Sequence, residues 1–134
     1  MFRRKQKASK STDDTIRRYM PDKVYFFADG TPFPAEPHLR TMEWIARCAW
    51  FSDGDEREVM FKLCTLVMQV IQRLPEVDPT PEMLENLHDG RAWLETNRFP
   101  DQAERFTAVW QDMGRYWDES GAIGRMRDHL RDES

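Results

Sequence analysis

With 134 residues, 40% of them hydrophobic and 12% aromatic, the chain holds the material for one real core but not for several domains. Its net charge of -4 conceals an asymmetry: residues 1–23 carry eight basic side chains against three acidic, and residues 24–134 carry twelve against twenty-one, so a +5 arm precedes a -9 body. Two cysteines exclude a disulfide scaffold, and no apolar run is long and unbroken enough to span a bilayer.

The basic start is followed by Ser, Thr and Asp rather than by a signal-peptide core, so a reducing, cytoplasmic setting is expected, with Cys48 and Cys64 as buried thiols. Residues 2–11 contain almost no apolar material and read as an arm. Thr12 or Asp13 can cap a short helix through Thr15 to Tyr19 that Pro21 ends. The segment Val24 to Pro34 then reads as extended. Asp29-Gly30 signals a turn, but Pro32 and Pro34 deny it a good return strand, which leaves an irregular aromatic strap with Tyr25, Phe27 and Phe33 pressed onto helices.

Leu39, Met42, Ile45, Ala46, Ala49 and Trp50 recur at helical spacing and predict a helix from about Pro37 to Phe51. From Val59 to Leu74 the only polar residues are Lys62, Thr65, Gln69, Gln72 and Arg73, a narrow stripe on a helix that is otherwise apolar. Such a helix must be wrapped on several sides, so it is the expected hub, capped by Ser52 or Asp53 with Asp55 or Glu56 completing a capping box. Thr80 as N-cap and Pro81 at the first helical position open a third helix that runs to about Asn97, with Gly90 inside it as a kink or a close-packing point. Pro100 and Asp101 open a fourth, whose Phe106, Val109, Trp110, Met113 and Trp117 step by three and four. After Ser120-Gly121 a short C-terminal helix carries Ile123, Met126 and Leu130. The expected fold is therefore all-α: four long helices and a short one in an orthogonal or bundle-like array, organised as a basic arm over 1–23 and a single acidic helical domain over 24–134.

Chemistry is harder to find. His38, His88 and His129 are scattered without metal-ligand spacing and read as surface or boundary residues. Asp53-Gly54-Asp55-Glu56 lacks the alternating ligands and distant Glu of a calcium loop, and helix capping accounts for it. Glu82 with Glu85, and Asp101 with Glu104, are pairs one helical turn apart that could hold a magnesium ion if they converged. In these residues alone the chain resembles the all-helical MazG-like nucleotide pyrophosphohydrolases, whose metal site uses a Glu-x-x-Glu pair and a later Glu-x-x-Asp pair. The second pair here is reversed, and all four carboxylates lie in first helical turns, where the dipole alone favours them. No metal, cofactor or catalytic residue is expected.

Binding ranks above catalysis. Five tryptophans and eight methionines exceed what one small core needs, and Trp and Met are enriched at interfaces. The leading expectation is a non-enzymatic helical interaction module, an adaptor, inhibitor or regulatory subunit, that offers Trp110, Met113 and Trp117 to a protein partner or to a second copy if that face is open. The alternative is a nucleic-acid-associated protein whose Arg3, Arg4, Lys5, Lys7 and Lys10 neutralise phosphates in a salt-sensitive way. Against it stands the acidic body.

Overall fold

The structure, a computed structural model, describes residues 12–133. It is all-α, with α1 over 12–19, α2 over Ala35–Trp50, α3 over Arg57–Gln72, a 3-10 turn at Leu74–Glu76, α4 over Pro81–Thr96, α5 over Pro100–Glu119 and α6 over Ala122–Glu133. Among the described residues the one β pairing is an isolated bridge between Phe26 and Pro32. Packing divides the chain into two compact units: residues 12–22 with Pro34–Gln72, and Lys23–Phe33 with residues 73–133.

In the first unit α2 packs on α3. The buried face of α2 is Leu39, Met42, Ile45, Ala46 and Ala49, the steps of three and four that the sequence displays, and His38 is buried with them rather than lying at the surface. α3 buries Met60, Leu63, Cys64, Val67, Met68, Val70 and Ile71, and each large apolar side chain so removed from water contributes about 1.5 to 3 kcal/mol. Burial pushes the Cys64 thiol well above its ordinary range, so it is an inert core group, whereas Cys48 is only half-buried. Lys62 and Gln69 face solvent as the polar stripe requires, but the wrapping is incomplete, because Val59, Phe61 and Leu66 are exposed beside them. The start of this helix also differs from expectation. It begins at Arg57, after Ser52 and Asp53, and the Ser52 hydroxyl instead donates to the Cys48 carbonyl at 2.6 Å, closing the end of α2. α1 is too short to persist alone. Ile16 buries its inner face, the Arg47 guanidinium donates to Thr12 Oγ1 at 2.5 Å at one end, and the Gln72 side-chain amide donates to the Arg18 carbonyl at 2.8 Å at the other.

In the second unit the Thr80 hydroxyl accepts from the Met83 amide at 3.1 Å with Pro81 next to it, the helix start read in the sequence. Gly90 is buried within α4. α5 turns Ala103, Phe106, Val109, Met113 and Trp117 inward. The Trp117 indole donates to the Val77 carbonyl at 2.9 Å, and Arg125 of α6 forks onto both Asp78 oxygens at 3.0 and 2.8 Å, so the proline-rich linker is held from two helices. In the segment before α2, Phe27 and Phe33 are buried while Val24 and Phe26 are exposed, the alternation of an extended chain. The rings of Tyr25 and Phe33 meet Tyr116 of α5 at 6.0 and 6.3 Å. Gly30, at φ 88°, closes the turn. Arg115 lies 4.0 Å over the Phe27 ring and pairs with Asp29 at 3.1 Å and Glu119 at 2.7 Å, while the Ala28 amide donates to Glu119 at 2.7 Å. Bonds from the Thr31 hydroxyl and amide, with Arg115 behind them, hold the Asp29 carboxyl down to about 2.

Candidate functional site

The residues proposed from the sequence for partner binding divide by burial. Met113 and Trp117 are 0% and 1% exposed, because the steps Phe106, Val109, Met113 and Trp117 form the inward face of α5, so these two offer no surface. Trp110, at the flank of that face, is half-buried, and its ring N–H is buried without a hydrogen-bond acceptor. Arg3, Arg4, Lys5, Lys7 and Lys10 lie outside the described residues. Glu82, Glu85, Asp101 and Glu104 are all exposed, and among the described residues no group of three or more His, Cys, Asp or Glu side chains is arranged to hold a metal ion. Glu104 lines a cavity of about 410 Å³ with Arg91, Glu95 and Gln111, without the other three carboxylates. The Arg91 Nε in it is buried and makes no hydrogen bond, since Glu95 stands 3.4 Å away and is not aligned for one.

The surface with the features of a binding site is in the first unit. α1, the last turns of α2 and one edge of α3 enclose an open groove of about 340 Å³. Phe61, Thr65 and Met68, spaced four and three apart, supply the α3 edge. Trp50 and Phe51 supply the α2 end, and Arg18 and Tyr19 the α1 wall. Trp50 is 55% exposed and its ring centroid lies 5.1 Å from that of Phe61; Phe51 is 78% exposed. Exposed aromatics usually occur singly, and a cluster in a concavity is the kind of surface that binding sites use.

Helix-end hydrogen bonds hold the backbone that carries Trp50 and Phe51. The Phe51 amide donates to the Arg47 carbonyl at 3.2 Å and the Ser52 amide to that of Ala49 at 3.2 Å, so the backbone at the end of α2 is tied while the Phe51 side chain projects. Within the groove, Arg47 donates to Glu43 at 2.6 Å and to Thr12, so the one lining carboxylate is neutralised. Arg18 has no ion-pair partner among the described residues. Beyond Phe51, the turn to α3 exposes Asp53, Asp55 and Glu56, likewise without ion pairs among the described residues, around Gly54 at φ 116°. With its aromatic rings beside Arg18, the groove has the means to bind an apolar or aromatic group next to an anion.

Sequence reasoning missed this site because Trp50 is four residues from Ala46 and so shares its helical face, which is buried at Ala46. α2 ends at Trp50, and its side chain remains at the open edge. The available signal was the pair Trp50-Phe51 set directly against an acidic turn, where a buried stripe has no reason to continue.

Among the described residues no helix is long and apolar enough to cross a membrane. No protein-family model matches the chain, and neither does any curated protein or solved structure.

Proposed function

We propose that the protein is a non-enzymatic helical interaction module, an adaptor, inhibitor or regulatory subunit acting in the reducing cytoplasm, and that it meets its protein partner through the groove edged by Trp50, Phe51 and Phe61. The observation that carries this reading is the exposure of three aromatic rings together on a backbone held by helix-end hydrogen bonds. A backbone held before contact loses little conformational entropy on binding, which leaves more of the apolar area of its rings available as affinity. Trp110 remains part of the proposal only at its outer edge, and the binding role moves from α5 to the first unit.

A photo-crosslinking amino acid at position 51 tests it. Mixed with lysate of the native host, this protein should yield a discrete protein adduct that is lost when Trp50→Ser and Phe61→Ser are added. Equal labelling from the same probe at the exposed position 118 would refute the assignment.

One observation keeps nucleic-acid binding as a second reading. By sequence, residues 1–23 hold eight basic against three acidic side chains and residues 24–134 twelve against twenty-one, so the positive charge is collected in the arm. Capture of nuclease-sensitive material at low salt, abolished by deleting residues 1–11, would favour it over the aromatic groove. We further propose the arm over 1–23 and the single helical domain over 24–134, which requires coincident unfolding transitions by fluorescence and circular dichroism.

A further inference from the structure

We propose that the occupant of the aromatic groove is a second copy of this chain, in a two-fold contact in which Phe51 of each copy enters the groove of the other. The inference rests on the interaction reading above and adds the identity of the partner. A two-fold interface needs one patch that is complementary to itself. This patch contains both halves of such a contact: a projecting ring, Phe51 at 78% exposure, on the rim of an open concavity of about 340 Å³ that it lines together with Trp50, Phe61 and Tyr19.

Charge points the same way. The α2 to α3 turn next to the groove is net acidic, with Asp53, Asp55 and Glu56 against Arg57, whereas Arg18 lines the groove from α1. The backbone of Arg18 is anchored by Gln72, the last residue of α3, a helix whose sixteen residues run roughly 24 Å from that turn. A two-fold axis through the patch reverses one copy against the other, so each Arg18 faces the acidic turn of the partner subunit. Two sets of ionic groups without ion pairs among the described residues are then matched, and the like-charge contacts of a parallel arrangement are avoided. Since projection and concavity adjoin, the contact closes at two copies; were they on opposite sides, it would propagate into open chains. The same acidic turn repels a phosphate backbone and disfavours nucleic acid as the occupant.

Sedimentation velocity on the full chain, from low micromolar to near-millimolar concentration, tests the proposal, with circular dichroism confirming that each variant folds. The wild type should convert from monomer to dimer as concentration rises. Phe51→Ser should raise the dissociation constant at least tenfold, about 1.4 kcal/mol. Arg18→Glu alone should weaken the dimer, and Arg18→Glu with Asp53→Arg and Asp55→Arg should restore it. A wild type that stays monomeric, a dimer indifferent to both Phe51→Ser and Arg18→Glu, or a series growing beyond two copies would each overturn the proposal. If the chain is monomeric while the probe at position 51 still captures a different protein, the interaction reading stands and only the second copy is refuted. If the probe captures nothing as well, both are refuted.

Discussion

The two units use similar helices in opposite ways. On α5 Trp117 and Phe106 are buried, the indole N–H of Trp117 is satisfied, and exposed charges such as Arg125 with Asp78 tie linker to helix. Around α3, the most apolar helix of the chain by its sequence, Trp50, Phe51, Val59, Phe61 and Leu66 are left at the surface. Apolar content and degree of burial are therefore decoupled here. The second unit buries Phe27, Phe33, Phe106 and Trp117 and exposes Phe26, whereas the first leaves Trp50, Phe51 and Phe61 exposed around one groove, in the region that the hydrophobic pattern marks as innermost.

The sharpest way to break this contrast is to truncate one ring from each unit. Trp117→Ala removes a fully buried side chain and leaves the Val77 carbonyl without its donor, so denaturant unfolding should show a loss of about 3 to 5 kcal/mol. Phe51→Ala, at a concentration where the chain is monomeric, should stay within about 0.5 kcal/mol of wild type. Comparable losses at both positions would mean that Phe51 is structural after all.

A smaller effect comes from Thr80→Ala, which deletes the acceptor for the Met83 amide and should cost about 1 kcal/mol in the same assay, with Thr80→Ser retaining most of it. Next, Trp110→Phe removes an indole N–H that is buried without an acceptor, so its loss should be offset by relief of an unpaired donor and the net change should lie near zero. A penalty close to that of Trp117→Phe would show that Trp110 has an acceptor, such as an ordered water.

The mildest test is pH. The Asp29 and Glu119 carboxyls are held below their ordinary range, Asp29 by Thr31 and Arg115, Glu119 by the Ala28 amide and Arg115. A carboxyl whose folded value is depressed stabilises the fold fully above its ordinary range and loses that contribution as pH falls towards the folded value. Protection of the Ala28 and Thr31 amides against hydrogen exchange should thus hold at neutral pH and fall between about 4 and about 2. Exchange that is unchanged down to pH 2 would show that aromatic packing alone holds this segment.

Much of the fold was legible from local signals that need no tertiary information. Thr80-Pro81 and Pro100 start helices where they should, and the inward residues of α2 and α5 follow from spacing. The beginning of α3 was not legible, because Ser52, Asp53 and Glu56 are all competent caps and the choice turned on Ser52 finding the Cys48 carbonyl. The site was less legible than the fold for a related reason. Periodicity tells which residues share a helical face, but not whether a neighbour covers that face. Trp117 and Phe61 look alike in the pattern, yet one has a core around it and the other an opening.

The short α1 is one wall of that opening, and its two side-chain clamps give the groove a measurable lifetime. With only residues 12–19 in the helix, its opening is a local event that requires the release of Ile16, Thr12 and the Arg18 carbonyl rather than global unfolding. Whatever fills the groove must slow this opening by mass action, and an occupant that leaves α1 exchange untouched is bound elsewhere. The amides of α1 thus make the protein its own occupancy gauge, readable residue by residue without a label on either molecule.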